Sequence, residues 1–169
     1  AIRKTDEKGI AASATLIFGL PTETREDRKN AIKITRSLPL SSVRFNTIVP
    51  YPGTPMYDDL NQKGKLTIKK DWENFAVQYM WEGDDVPYVP EGNSRYELIF
   101  DTMWANFSFY FSLNGLKRMI KTSFAGANVI QLEPFWYLRP KTVYRLFRVF
   151  FYLTRRFIYV AFKVFLRKK

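Results

Sequence analysis

The sequence contains neither cysteine nor histidine. Disulfides, thiolate or imidazole metal sites, cysteine nucleophiles and imidazole acid–base catalysis are therefore excluded from anything these 169 residues do alone. Oxygen ligands and carboxylate, tyrosine or amine chemistry remain. Acidic residues are missing from one region: residues 135–169 hold ten Lys or Arg and no Asp or Glu, so the net charge of +11 belongs almost wholly to that tail. Long apolar runs are missing too. The longest uncharged stretches of the basic helical tail, Val149 to Thr154 and Phe157 to Phe162, reach six residues, against the roughly twenty that a membrane-spanning helix needs. The start has no initiator Met and no apolar signal core, and Ala1 to Gly9 reads as the end of a helix closing on a glycine. The expectation is a chain that begins inside a longer protein. With 46% hydrophobic residues, it has enough apolar side chain to bury a core.

The apolar run from Ile10 to Gly19 suits a buried parallel strand over about Ala14 to Phe18. Thr24, followed three residues later by Asp27, reads as a capping box that starts a helix with Ala31, Ile32, Ile34 and Leu38 on one face, ended by Pro39. Val43 to Val49 is a second strand, broken by the proline-rich Pro50 to Pro55, and a short helix follows from Met56 to Gln62. Strand, helix and strand make a βαβ unit with parallel strands and a right-handed crossover. Both loops after the strands then emerge at one carboxyl edge, where α/β proteins bind ligands. Residues 63–93 read as a connecting segment with a short helix near Asp71 to Tyr79. Ser94 and Glu97 fit a second capping box, opening a helix to about Asn114. A shorter helix is expected over Leu116 to Phe124, and a last one from Pro140 almost to the end.

Alternation along the second strand puts Arg44, Asn46 and Ile48 on the face opposite Val43, Phe45, Thr47 and Val49. Arg44 and Asn46 would line a polar lumen or an exposed strand face. In the first strand Thr15, Ile17 and Gly19 share a small, apolar face, suited either to a flat ring or to ordinary packing. Glu23, near the start of the helix, is a candidate ligand or simply a charge favoured by the helix dipole.

The stretch Leu16 to Thr24, the helix start Arg25-Glu26-Asp27 and the stretch Val49 to Tyr57 closely resemble the fifth and sixth strand regions of radical S-adenosylmethionine enzymes, and most closely their cobalamin-binding branch. Tyr88-Val89-Pro90-Glu91-Gly92 and Phe135 to Pro140 are similar to the C-terminal extension of the branch that includes anaerobic Mg-protoporphyrin ester cyclases. The resemblance implies an α/β fold: the C-terminal βαβ portion of a partial (β/α)6 barrel over residues 1–62, the connecting segment 63–93, a helical extension over 94–134 and the basic helix 135–169. It implies S-adenosylmethionine as cofactor, with Ile17 against the adenine, Gly19 allowing close approach, and the backbone of Val49, Pro50 and Tyr51 bordering the ring. Thr15 and Asn46 join them on the lumen face. Glu23 stands at the end of the family's G-x-I-x-G-x-x-E pattern, but one residue late, and Thr15 replaces its first glycine. The family's CxxxCxxC motif, which holds a [4Fe-4S] cluster, is absent. The cluster and any cobalamin are expected upstream, on a missing N-terminal portion of the same enzyme, and the chain alone is expected to be inactive. An apolar substrate such as a lipid, isoprenoid or tetrapyrrole is implied.

In the tail, Leu146, Phe147, Phe150, Leu153, Phe157, Val160, Ala161, Val164 and Phe165 follow helical spacing. Lys141, Arg145, Arg148, Tyr152, Arg156, Tyr159, Lys163 and Arg167 line the opposing stripe, with Arg155 also contributing charge. Such a helix suits an anionic membrane surface, consistent with a cytoplasmic protein peripheral to the inner face. Packing on the barrel is the alternative, and nucleic acid a third. Two rival functions follow: an RNA-modifying radical methyltransferase or methylthiotransferase, and a non-catalytic membrane-surface protein.

Overall fold

The computed structural model describes residues 1–67, 75, 83–112, 115, 117 and 140–167. Their elements run α1 (Ile2–Glu7), β1 (Ser13–Phe18), α2 (Arg25–Ser37), β2 (Ser42–Thr47), α3 (Pro55–Gln62), α4 (Arg95–Tyr110) and α5 (Pro140–Arg167). The helices expected over Asp71 to Tyr79 and Leu116 to Phe124, and the Phe135 to Arg139 motif, lie outside the described residues.

β1 and β2 pair in parallel, with Ala14 opposite Val43, Leu16 opposite Phe45 and Ile17 opposite Asn46. The capping box at the start of α2 is formed: Asp27 N–H donates to Thr24 Oγ1, and Thr24 N–H donates to Asp27 Oδ2 at 2.9 Å. Alternation then decides the layers. Phe18, Val43 and Phe45 point to one side and are buried with Ile32 of α2, Leu40, and Leu98, Ala105 and Phe109 of α4. The opposite face carries Thr15, Ile17 and Arg44, all exposed, beside half-buried Asn46. Among the described residues the architecture is thus a two-stranded α/β layer backed by helices, and a barrel is not part of it.

Helix α4 does more than cover the sheet. Val43 and Phe45 have backbone groups that face away from β1. Asn106 Nδ2 donates to Phe45 O at 2.9 Å while Phe45 N–H donates to Asn106 Oδ1 at 3.2 Å. One turn on, Tyr110 Oη donates to Val43 O at 2.8 Å and accepts from Val43 N–H. Side chains four residues apart on one helix face therefore take the place of a neighbouring strand along β2.

The capping box expected at Ser94 does not form. Ser94 is the N-cap of α4, but its buried Oγ has no partner among the described residues, and Glu97 turns to Arg25 at 3.6 Å. The Glu97 carboxylate thus stands beside an opposite charge instead of closing back on the Ser94 backbone. The segment read as a connector is partly core: Leu66 bridges Tyr88 in antiparallel sense, and both are buried with Leu60. Val86 is buried with Ile99, Met103 and Val160, which ties α5 to α4.

Candidate ligand-binding edge

The carboxyl ends of β1 and β2 lie side by side, as the parallel register requires. Past β1 the chain turns at Gly19, whose φ of +94° is one that side chains other than glycine adopt only under strain. Gly19 N–H donates to Glu23 Oε2 at 2.5 Å, closing the loop on itself. Past β2, Val49 is half-buried, Pro50 buried and Tyr51 exposed. Thr54 Oγ1 then donates to Tyr51 O at 2.6 Å and accepts from Tyr57 N–H, so the proline-rich loop ends in an N-cap for α3.

Of the expected site residues, the structure brings Thr15, Ile17 and Asn46 together on the open face, with Ile17 and Asn46 direct partners across the strands. Ile17 is 47% exposed, an apolar side chain left facing outward beside an amide. Gly19 belongs elsewhere. It is buried, and a Cβ there would come within 3.1 Å of Leu98 Cδ2 and 3.2 Å of Ile48 Cγ2. The close approach that its missing side chain permits in the structure is that of Leu98 and Ile48, where α4 closes over the turn.

Glu23 is drawn into a buried ionic network that sequence spacing did not show. Arg28, only 1% exposed, reaches Glu23 Oε2 at 3.4 Å, Asp101 Oδ2 at 3.1 Å and Asn93 Oδ1 at 2.8 Å. Arg25 adds a two-pronged contact to Asp101, with Nη2 donating to Oδ1 at 2.9 Å and Nε to Oδ2 at 3.1 Å. That hydrogen bonding, against an opposing effect of burial, raises the Arg25 pKa. Asn93 Nδ2 also reaches toward Glu23 O at 3.5 Å. The β1–α2 loop is thus clamped by α4 and the turn before it. Arg28 and Asp101 lie 73 positions apart. Their only sequence signal is an arginine and an aspartate on otherwise apolar helix faces.

The donor set decides which cofactor groups fit these residues. An exposed apolar side chain level with an amide suits the face and polar edge of a purine. A cysteine-ligated cluster does not fit, since no cysteine exists in the sequence, and no group of His, Cys, Asp or Glu among the described residues is arranged to hold a metal ion. A groove of about 600 Å³ runs between α2 and α4 from the Arg28–Asp101 pair, rimmed by Arg25, Lys29, Lys33 and Arg36 with Phe100 and Trp104.

The expected membrane-facing cations divide in two. Lys141, Arg145, Arg148 and Arg155 are exposed on α5. Arg156 is not available in that way: its Nη1 donates to Asp84 Oδ1 at 2.6 Å and its Nη2 to Gly83 O. Lys163 is half-buried with Nζ 5.5 Å from the Tyr159 ring centre and 6.0 Å from that of Tyr96. Arg167 is the last residue of α5. Tyr96 and Tyr159 both donate to Asp84 Oδ2, at 3.0 and 2.9 Å. Burial works to raise the Asp84 pKa, yet the hydrogen bonds from Arg156, Tyr159 and Tyr96 and the Arg156 charge bring it below the usual carboxylate value.

Comparison with curated proteins points to methyltransferases as the class this chain is similar to. It is 33% identical over 77 residues, 46% of its length, to an uncharacterized methyltransferase of Pyrococcus horikoshii. It is 28% identical over 72 residues, 43% of its length, to the bacteriochlorophyllide d C-8(2)-methyltransferase of Chlorobaculum tepidum. The matched parts are 17% and 16% of those proteins, so the chain spans about a sixth of the curated relatives it matches. No family model matches the chain. No solved structure matches it significantly.

Proposed function

We propose that this chain supplies the last strands and the C-terminal extension of a radical S-adenosylmethionine methyltransferase of the cobalamin-binding branch, acting on an apolar substrate. The observation that carries the reading is the open face formed by Thr15, Ile17 and Asn46 beside the two carboxyl-edge loops, in a chain similar to two methyltransferases. The residues act by holding a nucleoside. Ile17 offers an apolar platform, Asn46 a donor and an acceptor one strand away, and the Val49 to Tyr51 backbone a polar border. The buried Arg28 network keeps the first of the two loops in place, so little ordering remains to be done on binding. S-adenosylmethionine, when bound, supplies the transferable methyl group. The cluster and cobalamin belong, in this reading, to other parts of the same enzyme. A tetrapyrrole is one apolar substrate of suitable class, in line with the bacteriochlorophyllide in one relative's name.

Titration of S-adenosylmethionine into the protein expressed from its intact gene, followed by calorimetry under anaerobic conditions, tests this. Ile17→Asp is expected to weaken binding roughly tenfold or more, by loss of apolar contact. Ile34→Asp, at an exposed position on α2, serves as control and is expected to leave binding unchanged. Equal affinity of the Ile17→Asp variant and the unaltered protein would overturn the assignment.

A further inference from the structure

Helix α5 has two apolar stripes with different neighbours. One, including Phe157 and Val160, packs on α4, where the Phe157 ring lies 5.2 Å from Phe100 and 5.3 Å from Phe107 and Val160 is fully buried. The other consists of Tyr144, Phe147, Phe151, Ile158 and Phe162. Their spacings of three, four, seven and four residues keep them within about 60° of helical arc, roughly 140° around the helix from the packed stripe. All five are between 57% and 67% exposed. A soluble surface rarely leaves so much contiguous aromatic area uncovered.

The cations are segregated along one flank of this outer stripe. Arg155 and Arg148 stand within roughly 40° of its edge, with Lys141 and Arg145 further round. None of the four has a carboxylate partner among the described residues, and no acidic residue occurs between 135 and 169. Arg156, by contrast, holds the helix to the body through Asp84, to which Tyr159 also donates, and Lys163 lies over the Tyr96 ring. One set of charges thus secures the helix, and a separate set faces away.

From this geometry we propose that the outer stripe of α5 lies in the headgroup plane of an anionic lipid surface, with Tyr144, Phe147, Phe151, Ile158 and Phe162 entering the acyl boundary and Lys141, Arg145, Arg148 and Arg155 on the phosphates. Charge complementarity selects this occupant. A second copy seated on the same stripe would bring two wholly cationic helices together. A nucleic-acid partner would use aromatics interleaved with the cations throughout, so that bases stack between phosphate contacts. Here Arg148 lies 5.9 Å over the Tyr144 ring and Tyr152 stands among the cations, but Phe147, Phe151, Ile158 and Phe162 share an arc into which no described cation falls. The helix spans about 42 Å, and among the described residues none is long and apolar enough to cross a membrane. It lies along the surface instead. The proposal does not depend on the reaction proposed above, because it rests on α5 alone.

Co-sedimentation of the full chain with vesicles of phosphatidylcholine alone and with 30–40% phosphatidylglycerol (about one lipid in three) reads the electrostatic part. Binding is expected only to the anionic vesicles, and to fall steeply as salt is raised. Each of Arg148→Gln and Arg155→Gln should lower partitioning about fivefold. Phe151→Trp reads the apolar part: on anionic vesicles its emission should move to the blue and be quenched by lipids brominated in the acyl chain. Phe151→Ser with Phe162→Ser should abolish retention while leaving the circular dichroism unchanged, since both positions are exposed. Binding that ignores the lipid charge, or that survives both serine substitutions, would overturn the proposal. So would tight, salt-sensitive binding to RNA without vesicle binding, or a stable dimer in light scattering that Phe151→Ser dissolves.

Discussion

Arg28 illustrates how much one side chain can hold. A guanidinium with 1% exposure must satisfy its donors internally, and it does so on Glu23, Asp101 and Asn93. Substitution Arg28→Ala leaves two carboxylates facing an apolar gap. Because Arg25 still meets Asp101, the expected loss is about 3 kcal/mol rather than the upper end for a broken buried pair. Urea unfolding of the variant measures it. Arg28→Met combined with Asp101→Leu should recover a good part of that loss, because the charge left behind, not the missing attraction, carries most of the cost. Gly19 was legible as a turn residue, but its covering by Leu98 was not, since Leu98 arrives from a helix 79 positions along the chain.

At the level of elements, sequence pattern served well where the determinant is local. Short apolar and β-branched runs and the Thr24–Asp27 box placed β1, α2 and β2 within one or two residues of their observed ends. It failed at Ser94, where a distant arginine claims the glutamate of the box. It also failed to separate the two apolar stripes of α5, because helical spacing shows that a face is apolar and not what lies against it. The anchor of α5 is pH-sensitive in a definite sense. Asp84 has a folded-state pKa below its unfolded value near 4, so its contribution is full above that value and lost as pH falls through the folded one. Burial first, then the hydrogen bond to Asp84, lifts Tyr96 to about 12, so its contribution is full below its unfolded value near 10 and lost as pH rises through the folded one. Thermal melts between pH 3 and 7 should show stability falling in acid, and Asp84→Asn should flatten that fall.

At the scale of the molecule, the buried residues among those described form three clusters rather than one, and of these α5 joins the cluster of Val86, Ile99 and Met103. Sheet and anchor are therefore separable. Val160→Asp puts an unpaired charge where the helix is fully buried, and hydrogen exchange read by mass spectrometry should show α5 amides losing protection while those of β1 and β2 keep theirs. Exchange rising equally in β1 would mean that the clusters unfold as one. The barrel expected from the resemblance is not shown by the two strands described, whereas the mixed α/β character, the parallel strand pair and its carboxyl edge could be read from local pattern. The Arg28 clamp and the division of the α5 cations could not, because both are made by pairs more than 70 residues apart.

Asn106 and Tyr110 give the small sheet a direction of growth. By impersonating a strand along β2, they use up the hydrogen-bonding groups of Val43 and Phe45 that a newcomer would need. Any further strand must therefore dock on β1, at the end of the sheet that comes earlier in the chain. The α4 side chains act as a stop codon written in hydrogen bonds: the layer can be extended from one side and is already finished on the other.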